Sequence, residues 1–389
     1  MFSVRSLRGF NILRQYEGEL GIFEYDDAEC SVEHSTEGED RLLWLGTSKS
    51  VTVTGILRST RHMFADAILP EGFKLYLQVR GIRDMTAMFI NAQIPDSFIF
   101  SYEADRDLEL TNMFNLAKIG DNFVMRVNGD VSILADLCFY SATFAGDFKC
   151  KLPWERCTNL HSFFKNAKFS QPVELYLTVP VKADVSGMFD GCTIPDDSYI
   201  TVQGGTSADA CYMFNKSCIG VNSVINLRDL RANDFSSAFY NCVLQSDVKL
   251  LLNTESTDGY VHMFTGAKFP ENFDLTLKVP YGANVTGILA DVQLPETSNI
   301  QIELVNATCL RPEKAELLQK WIQKLAEAKY DDLTSAIAVY VTEHPEKLEE
   351  CLHIDFDNVS AEARIKYVAT TARVFEKTKA SWRERMDMF

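Results

Sequence analysis

Phenylalanine returns every 25 residues along most of this chain and marks a repeated unit. The residues in this phase are Phe64, Phe89, Phe114, Phe139, Phe164, Phe189, Phe214, Phe239 and Phe264, with Leu289 in the tenth place. A fixed period of this length indicates one supersecondary unit stacked on copies of itself. The pattern therefore predicts a ten-coil solenoid over residues 55–308, with each phenylalanine stacked on the next.

The positions around each phenylalanine alternate between large and small side chains. Met usually precedes it, a small residue such as Ala92 or Ala117 follows three positions later, and a large apolar residue such as Ile94 or Ile119 follows two positions after that. Large and small side chains at this spacing allow neighbouring coils to pack without voids. The core is expected to be a set of columns of like residues.

The second half of each unit predicts a short β-strand, because apolar residues alternate there, as in Phe73, Leu75, Leu77 and Val79. Five residues before each phenylalanine stands a residue that usually suits a helix N-cap, as at Asp84 and Asp184. We therefore expect a short helical turn around each Met-Phe pair, ended by a proline such as Pro95. The predicted fold class is an α/β repeat solenoid with a parallel sheet on one face.

The sequence segments DMTAMFINAQIP, DVSGMFDGCTIP and YVHMFTGAKFP resemble the Met-Phe repeat of bacterial surface proteins, a roughly 25-residue relative of leucine-rich repeats. The resemblance covers about residues 55–305. It implies a leucine-rich-repeat-like solenoid that offers a surface for protein contacts, and it implies no catalytic residues. The chain lacks the tryptophan usual in the strand region of that family.

The two ends of the chain depart from the period and are expected to cap the solenoid. Residues 1–54 form the predicted N-terminal cap, with an acidic loop through Glu33, Glu37, Glu39 and Asp40. Residues 309–389 change to helical spacing, with Leu317, Trp321 and Leu325 on one face, and are predicted to form a helical C-terminal domain.

The composition and the cysteine positions predict the cellular compartment of the protein. The N-terminus shows no continuous apolar stretch of signal-peptide length, and no segment approaches the length of a membrane span. Of the ten cysteines, Cys192 and Cys242 occupy the small core position, where cysteine behaves as a small buried hydrophobe. Reduced thiols and a cytoplasmic protein are the expectation.

The net charge of −16 at pH 7 disfavours binding to nucleic acid or to an anionic membrane, and it favours a basic protein partner. The sequence contains no P-loop, no GxSxG, no HExxH and no cysteine or histidine cluster with zinc spacing. We therefore expect no enzymatic activity, no cofactor and no bound metal.

The outward side chains of the predicted sheet are the first candidate for a binding surface. Its middle region combines tyrosine, basic and exposed aliphatic residues, a composition enriched at protein interfaces. The candidate binding residues are Tyr76, Ile99, Val124, Arg126, Lys149, Lys151, Tyr176 and Tyr199. The acidic N-terminal loop and the C-terminal helices remain alternative binding regions.

These features favour an intracellular protein-binding scaffold or adaptor that presents a rigid surface, and they fit a bacterial or phage-encoded protein that sorts cargo or blocks a host factor. The alternative is a structural, self-assembling component, for example of a virion, in which the C-terminal helices make oligomer contacts. The sequence leaves the partner and the oligomeric state open.

Overall fold

A computed structural model describes residues 13–26, 29–252, 259–280, 285 and 287–305. These residues form a parallel β-solenoid of about ten turns with almost no helix. Each coil contributes one strand or bridge to each of three parallel β-ladders. Residues 25 positions apart in the sequence therefore lie side by side on neighbouring coils. Lys118 lies beside Gln93 and Thr143, each 25 residues away.

The longest strands form what we call the long-strand ladder. Its strands are Ser50–Leu57, Lys74–Arg80, Ile99–Glu103, Phe123–Asn128, Phe148–Lys151, Glu174–Val179, Tyr199–Asp209, Val224–Leu227, Lys249–Leu252, Asp274–Pro280 and Asn299–Val305. Neighbours within a sheet are parallel, as predicted. Among the described residues the hydrogen-bonded pairing is interrupted after Arg80, after Lys151 and after Leu252.

Two further ladders of shorter strands complete each coil. The short-strand ladder consists of Gln93–Ile94, Lys118–Ile119, Thr143–Phe144, Lys168–Phe169, Thr193–Ile194, Cys218–Ile219 and Val243–Leu244. Isolated bridges extend it to Ile68 at one end and to Gln293 at the other. The corner ladder consists of Leu108–Glu109, Ile133–Leu134, Cys157–Asn159 and Leu230–Asp234, joined by single bridges from Ser59 to Gly259.

The predicted phenylalanine column is confirmed. Phe139 stacks on Phe114 with ring centroids 5.1 Å apart and on Phe164 at 5.4 Å, and the ring planes lie within 13° of parallel. A second row, Phe73, Phe98 and Phe123, meets the column edge to face. Offset and edge-to-face pairs contribute roughly 0.5–1.5 kcal/mol each beyond burial. Aromatic stacking and the removal of apolar surface from water therefore hold the coils together.

The helical turn predicted around each Met-Phe pair is wrong. In the first coil, Met63 N–H bonds to Thr60 O, Ala65 N–H to His62 O and Ala67 N–H to Phe64 O, which makes three successive β-turns. The residues two before and two after each phenylalanine have positive φ, for example 57° at His62 and 58° at Asp66. The only helix in the described part of the chain is the 3₁₀ segment Trp154–Arg156.

The neighbouring coil explains why no helix forms there. The N–H groups of His62, Phe64 and Asp66 donate to Thr86, Met88 and Ile90 of the next coil. Because alternate N–H groups are used between coils, they are not available for bonds within a helix. The expected N-cap residues keep a related role, since an Asp84 carboxylate oxygen accepts the N–H of Thr86 at 2.9 Å and so starts the turn.

The N-terminal cap is a β-structure. Strands Leu13–Gly18 and Gly21–Asp26 form an antiparallel pair, which joins Ser50–Leu57 and through it the long-strand ladder. The expected acidic loop is instead a second hairpin, Cys30–His34 with Asp40–Trp44, in which Glu37 forms an ion pair with Arg41. The predicted helical domain at residues 309–389 lies outside the described residues.

Leu116 offers a test of the turn geometry. It has φ 59° with a half-exposed side chain, whereas Asn91 in the same position of the preceding coil has φ 55° and donates to Asp66 at 2.7 Å. Left-handed backbone costs a residue with a bulky side chain roughly 1–2 kcal/mol, and asparagine less. We expect Leu116→Asn to raise the free energy of unfolding by roughly 1 kcal/mol, measured by urea denaturation.

Leu134→Asn is the matched control for that prediction. Leu134 is also exposed, but it lies in the extended strand Ile133–Leu134, where asparagine is disfavoured. The control should gain no stability. An equal effect of both substitutions would contradict the assignment of left-handed strain to Leu116.

Candidate protein-binding face

The strands of the long-strand ladder separate buried from outward side chains. In Phe123–Asn128, the side chains of Phe123, Met125 and Val127 are buried, while Arg126 and Asn128 are exposed. The period of two arises because successive side chains of a strand point to opposite sides. We call the surface formed by the outward side chains of this ladder the outer sheet face.

All eight candidate binding residues lie on the outer sheet face. Tyr76, Ile99, Arg126, Lys149, Lys151 and Tyr176 are exposed, and Val124 and Tyr199 are half-buried. Seven of them occupy five successive coils. The strand pairing is interrupted after Arg80 and after Lys151, so Tyr76, the residues from Ile99 to Lys151, and the Tyr176–Tyr199 pair lie on three separate groups of paired strands.

Three cations form the centre of the face, and we call Arg126, Lys149 and Lys151 the basic cluster. Arg126 lies directly opposite Lys151 in the register of neighbouring strands, and Lys149 is two residues before Lys151 on the same side. Neighbouring strands are about 4.8 Å apart. Among the described residues, none of the three cations forms an ion pair with a carboxylate.

Apolar and aromatic side chains precede and follow the basic cluster along the chain. Ile99 is 57% exposed, and it precedes Val124 and Lys149 in one row across three strands. On the next group of paired strands, beyond the interruption after Lys151, the rings of Tyr176 and Tyr199 are 5.4 Å apart. Desolvation, followed by the adjacent Glu174 carboxylate, raises the pKa of Tyr176. The Tyr176 phenol therefore stays neutral at physiological pH and can donate a hydrogen bond.

A row of aspartates borders the face at the corner before its strands. A carboxylate oxygen of Asp96 accepts the backbone N–H of Asp121 at 2.8 Å, and Asp121 in turn accepts the N–H of Asp147 at 2.8 Å. Each carboxylate thus satisfies a backbone donor of the following coil. The row, which we call the aspartate border, places negative charge beside the basic cluster without neutralising it.

The sequence did not indicate a further feature, a cleft between the N-terminal hairpins and the first coil. Its lining includes Arg41, Arg61 and Asp84. Arg41 contacts Glu37 at 2.8 Å, and the Arg61 Nε atom lies 3.3 Å from Asp84. Arg58, which also lines the cleft, donates to the backbone oxygen of Glu19, so most but not all of the cations in the cleft are paired with carboxylates.

Comparison with family models, curated protein sequences and solved structures finds no match to the chain. The resemblance to the Met-Phe repeat family therefore stays a prediction.

Two other properties bear on the chemistry of the molecule. Within the described part of the chain, no group of three histidine, cysteine, aspartate or glutamate side chains is placed to hold a metal ion. A search of the same residues for a helix long and apolar enough to cross a membrane finds none.

The outward direction of the eight residues follows from the period of two in the sequence. A third outward row, which includes Gln78, Glu103 and Gln203, was missed although the same period contains it. The carboxylates of the aspartate border bond to backbone N–H groups of the next coil and not to the basic cluster. The sequence pattern did not indicate these bonds.

Proposed function

We propose that this protein is a non-enzymatic, intracellular protein-binding scaffold or adaptor, and that it recognises its partner through the outer sheet face. The observation that supports the proposal is that the outer sheet face of five successive coils carries tyrosine, aliphatic and cationic side chains, and that no described carboxylate forms an ion pair with the three cations. Tyrosine and arginine dominate binding energy at protein interfaces, where they are enriched.

The mechanism is rigid presentation of a preformed surface. The backbone beneath the face is hydrogen-bonded within the sheet, and the stacked phenylalanine column supports it from inside. A surface that is ordered before binding loses little conformational entropy when the partner docks. Further coils extend the same face, which leaves room for more than one partner on a single chain.

Affinity capture with two variants of four substitutions each tests the proposal. The face variant carries Tyr76→Glu, Arg126→Glu, Lys151→Glu and Tyr176→Glu. The control variant carries Ile68→Glu, Lys118→Glu, Lys168→Glu and Lys268→Glu, which are exposed positions along the short-strand ladder. Partners from the native cell, quantified by mass spectrometry, should be lost by the face variant and kept by the control.

Both variants need the unfolding midpoint of the wild-type chain for the comparison to be valid. Retention of every partner by the face variant would show that the outer sheet face is not the binding site.

The alternative role, a self-assembling component, depends on helices predicted in residues 309–389. Light scattering distinguishes the two roles, because an adaptor is expected to have a concentration-independent monomer mass and a structural component a defined oligomer mass.

A further inference from the structure

The basic cluster is unfavourable for folding when considered by itself. Arg126 and Lys151 lie directly opposite each other on parallel strands, and Lys149 adds a third positive charge on the same side. Like charges in directly opposed positions of a sheet are destabilising. Among the described residues no carboxylate forms an ion pair with these side chains, so no direct ion pair relieves the repulsion.

The chain does not lack carboxylates that could relieve this repulsion. It has 54 acidic residues against 38 lysines and arginines. Glu103 and Glu174 lie on the same outward side as the cluster, and the aspartate border is bonded to backbone N–H groups of the following coil. None of these carboxylates forms an ion pair with the three cations, which stay exposed to solvent.

The side chains around the basic cluster indicate what kind of anionic ligand would fit the outer sheet face. Ile99 lies on the strand paired with that of Arg126, and the Tyr176–Tyr199 pair follows on the next two coils, beyond the interruption of the pairing after Lys151. A ligand that fills the whole area must carry negative groups at its centre and apolar groups on either side. Protein segments with aspartate or glutamate between apolar residues have this character.

The negative charge of the aspartate border also limits how long an anionic ligand on this face can be. A nucleic acid carries a phosphate at every nucleotide, so a strand that extends beyond the cluster would meet the border and the field of a protein with net charge −16. A short acidic segment confined to the cluster avoids both. The net charge favours a basic partner for the molecule as a whole, whereas this face has the opposite local charge.

We propose that the outer sheet face binds an acidic protein segment, whose carboxylates contact Arg126, Lys149 and Lys151 and whose apolar residues pack on Ile99 and on the tyrosine pair. The proposal rests on the protein-binding function proposed above and specifies the chemistry of the partner. Complementary charge also predicts faster association at low ionic strength.

Fluorescence anisotropy with synthetic probes tests the partner chemistry on the full chain. The probe is a fluorescein-labelled 15-residue peptide in which Glu alternates with Thr and Val, and the comparison peptide has Gln in place of every Glu. We expect the Glu peptide to bind with an affinity that falls as salt rises, and the Gln peptide to bind at least tenfold more weakly.

Charge reversal locates the binding site on the molecule. Lys149→Glu with Lys151→Glu should weaken binding of the Glu peptide at least tenfold. Lys118→Glu with Lys168→Glu, which makes the same change on the short-strand ladder, should alter it less than twofold. Equal binding of both peptides, or no difference between the two double variants, would overturn the proposal.

Two other occupants give different results. Tighter binding of a 15-nucleotide oligothymidylate than of the Glu peptide would assign the face to nucleic acid and overturn the proposal. Salt-sensitive self-association that Lys149→Glu with Lys151→Glu abolishes would assign it to a second copy of the chain and also overturn it. If the peptides fail while capture of cellular partners still depends on the face, the adaptor function stands and only the acidic partner is wrong.

Discussion

Replacing Phe139 with alanine is expected to lower the free energy of unfolding by about 3–5 kcal/mol. The ring is fully buried and stacks between Phe114 at 5.1 Å and Phe164 at 5.4 Å. Phe163 meets it edge to face at 5.4 Å. Since the neighbouring coils are held in place by hydrogen bonds on three ladders, we expect the cavity left by the ring to collapse only in part.

Phe139→Leu is the control for the size of that effect. Leucine occurs naturally in this phase at Leu289, so the column accepts it where it ends in the tenth coil. The leucine variant should lose less than half as much stability as the alanine variant in urea denaturation at pH 7. A loss below 1 kcal/mol for Phe139→Ala would contradict a continuous, closely packed column.

Much of the architecture could be predicted from the repeat alone. A strict period of 25 places equivalent residues of adjacent coils side by side, so the phenylalanine column and the parallel pairing followed without any assumption about local structure. The outward direction of Arg126 and Lys151 followed from the strand period of two. These inferences depend only on the period of the sequence. Every coil keeps that period because its side chains must pack against those of its neighbours.

The conformation of the Met-Phe segment could not be derived in the same way. An aspartate such as Asp84 before a short apolar stretch suits both a helix N-terminus and the first residue of a β-turn series, because its carboxylate accepts an N–H two or three residues ahead in either case. The deciding signal was the residue two positions after each phenylalanine. Asp66, Asn91, Asn166 and Gly191 are types that tolerate positive φ, which a helix interior does not use.

The chemistry of the face was predictable only in part. The sequence placed cations in the middle of the face, and the net charge suggested a basic partner for the whole molecule. The unrelieved opposition of Arg126 and Lys151 is a property of the pairing register combined with the direction of the corner aspartates. It changes the expected partner of this surface because local charge, not net charge, governs a contact within a few ångströms.

Raising the pH from 8 to 10 is expected to remove a large part of the stability of the solenoid. Among the described residues, five buried cysteines are unpaired thiols: Cys30, Cys138, Cys157, Cys192 and Cys242. Burial raises the pKa of each thiol above the ordinary value of 9.0, to about 12 for Cys30 and for Cys192. In the unfolded chain the same thiols ionise near pH 9.

The direction of the effect follows from the raised pKa of the folded state. Below the unfolded-state pKa both states hold the proton, so the stability from the buried neutral thiols is fully present. Above it the unfolded chain releases protons that the folded chain retains, and stability falls until the pH reaches the folded-state pKa. Between pH 8 and pH 10 each thiol contributes a loss of about 1.4 kcal/mol, or roughly 7 kcal/mol for the five.

The residues found at equivalent positions of other coils suggest a variant that measures the contribution of the thiols to the pH dependence. Cys192 and Cys242 stand where other coils have Ala117, Ala142 and Ala167, so Cys192→Ala with Cys242→Ala keeps a residue type that the position accepts. In urea denaturation with a reducing agent, this variant should lose about 2–3 kcal/mol less than the wild type between pH 8 and pH 10.

Comparing the two chains removes the contribution of the tyrosines. Burial raises the pKa of Tyr102 from 10.0 to about 12, so the stability it contributes begins to fall near pH 10, but it falls equally in the wild type and in the double alanine variant. An identical pH dependence in the wild type and the double alanine variant would show that these thiols are not held neutral in the core. A smaller dependence in the variant would instead show that buried cysteine limits the alkaline stability of the solenoid, because the same column is filled elsewhere by a residue that cannot ionise.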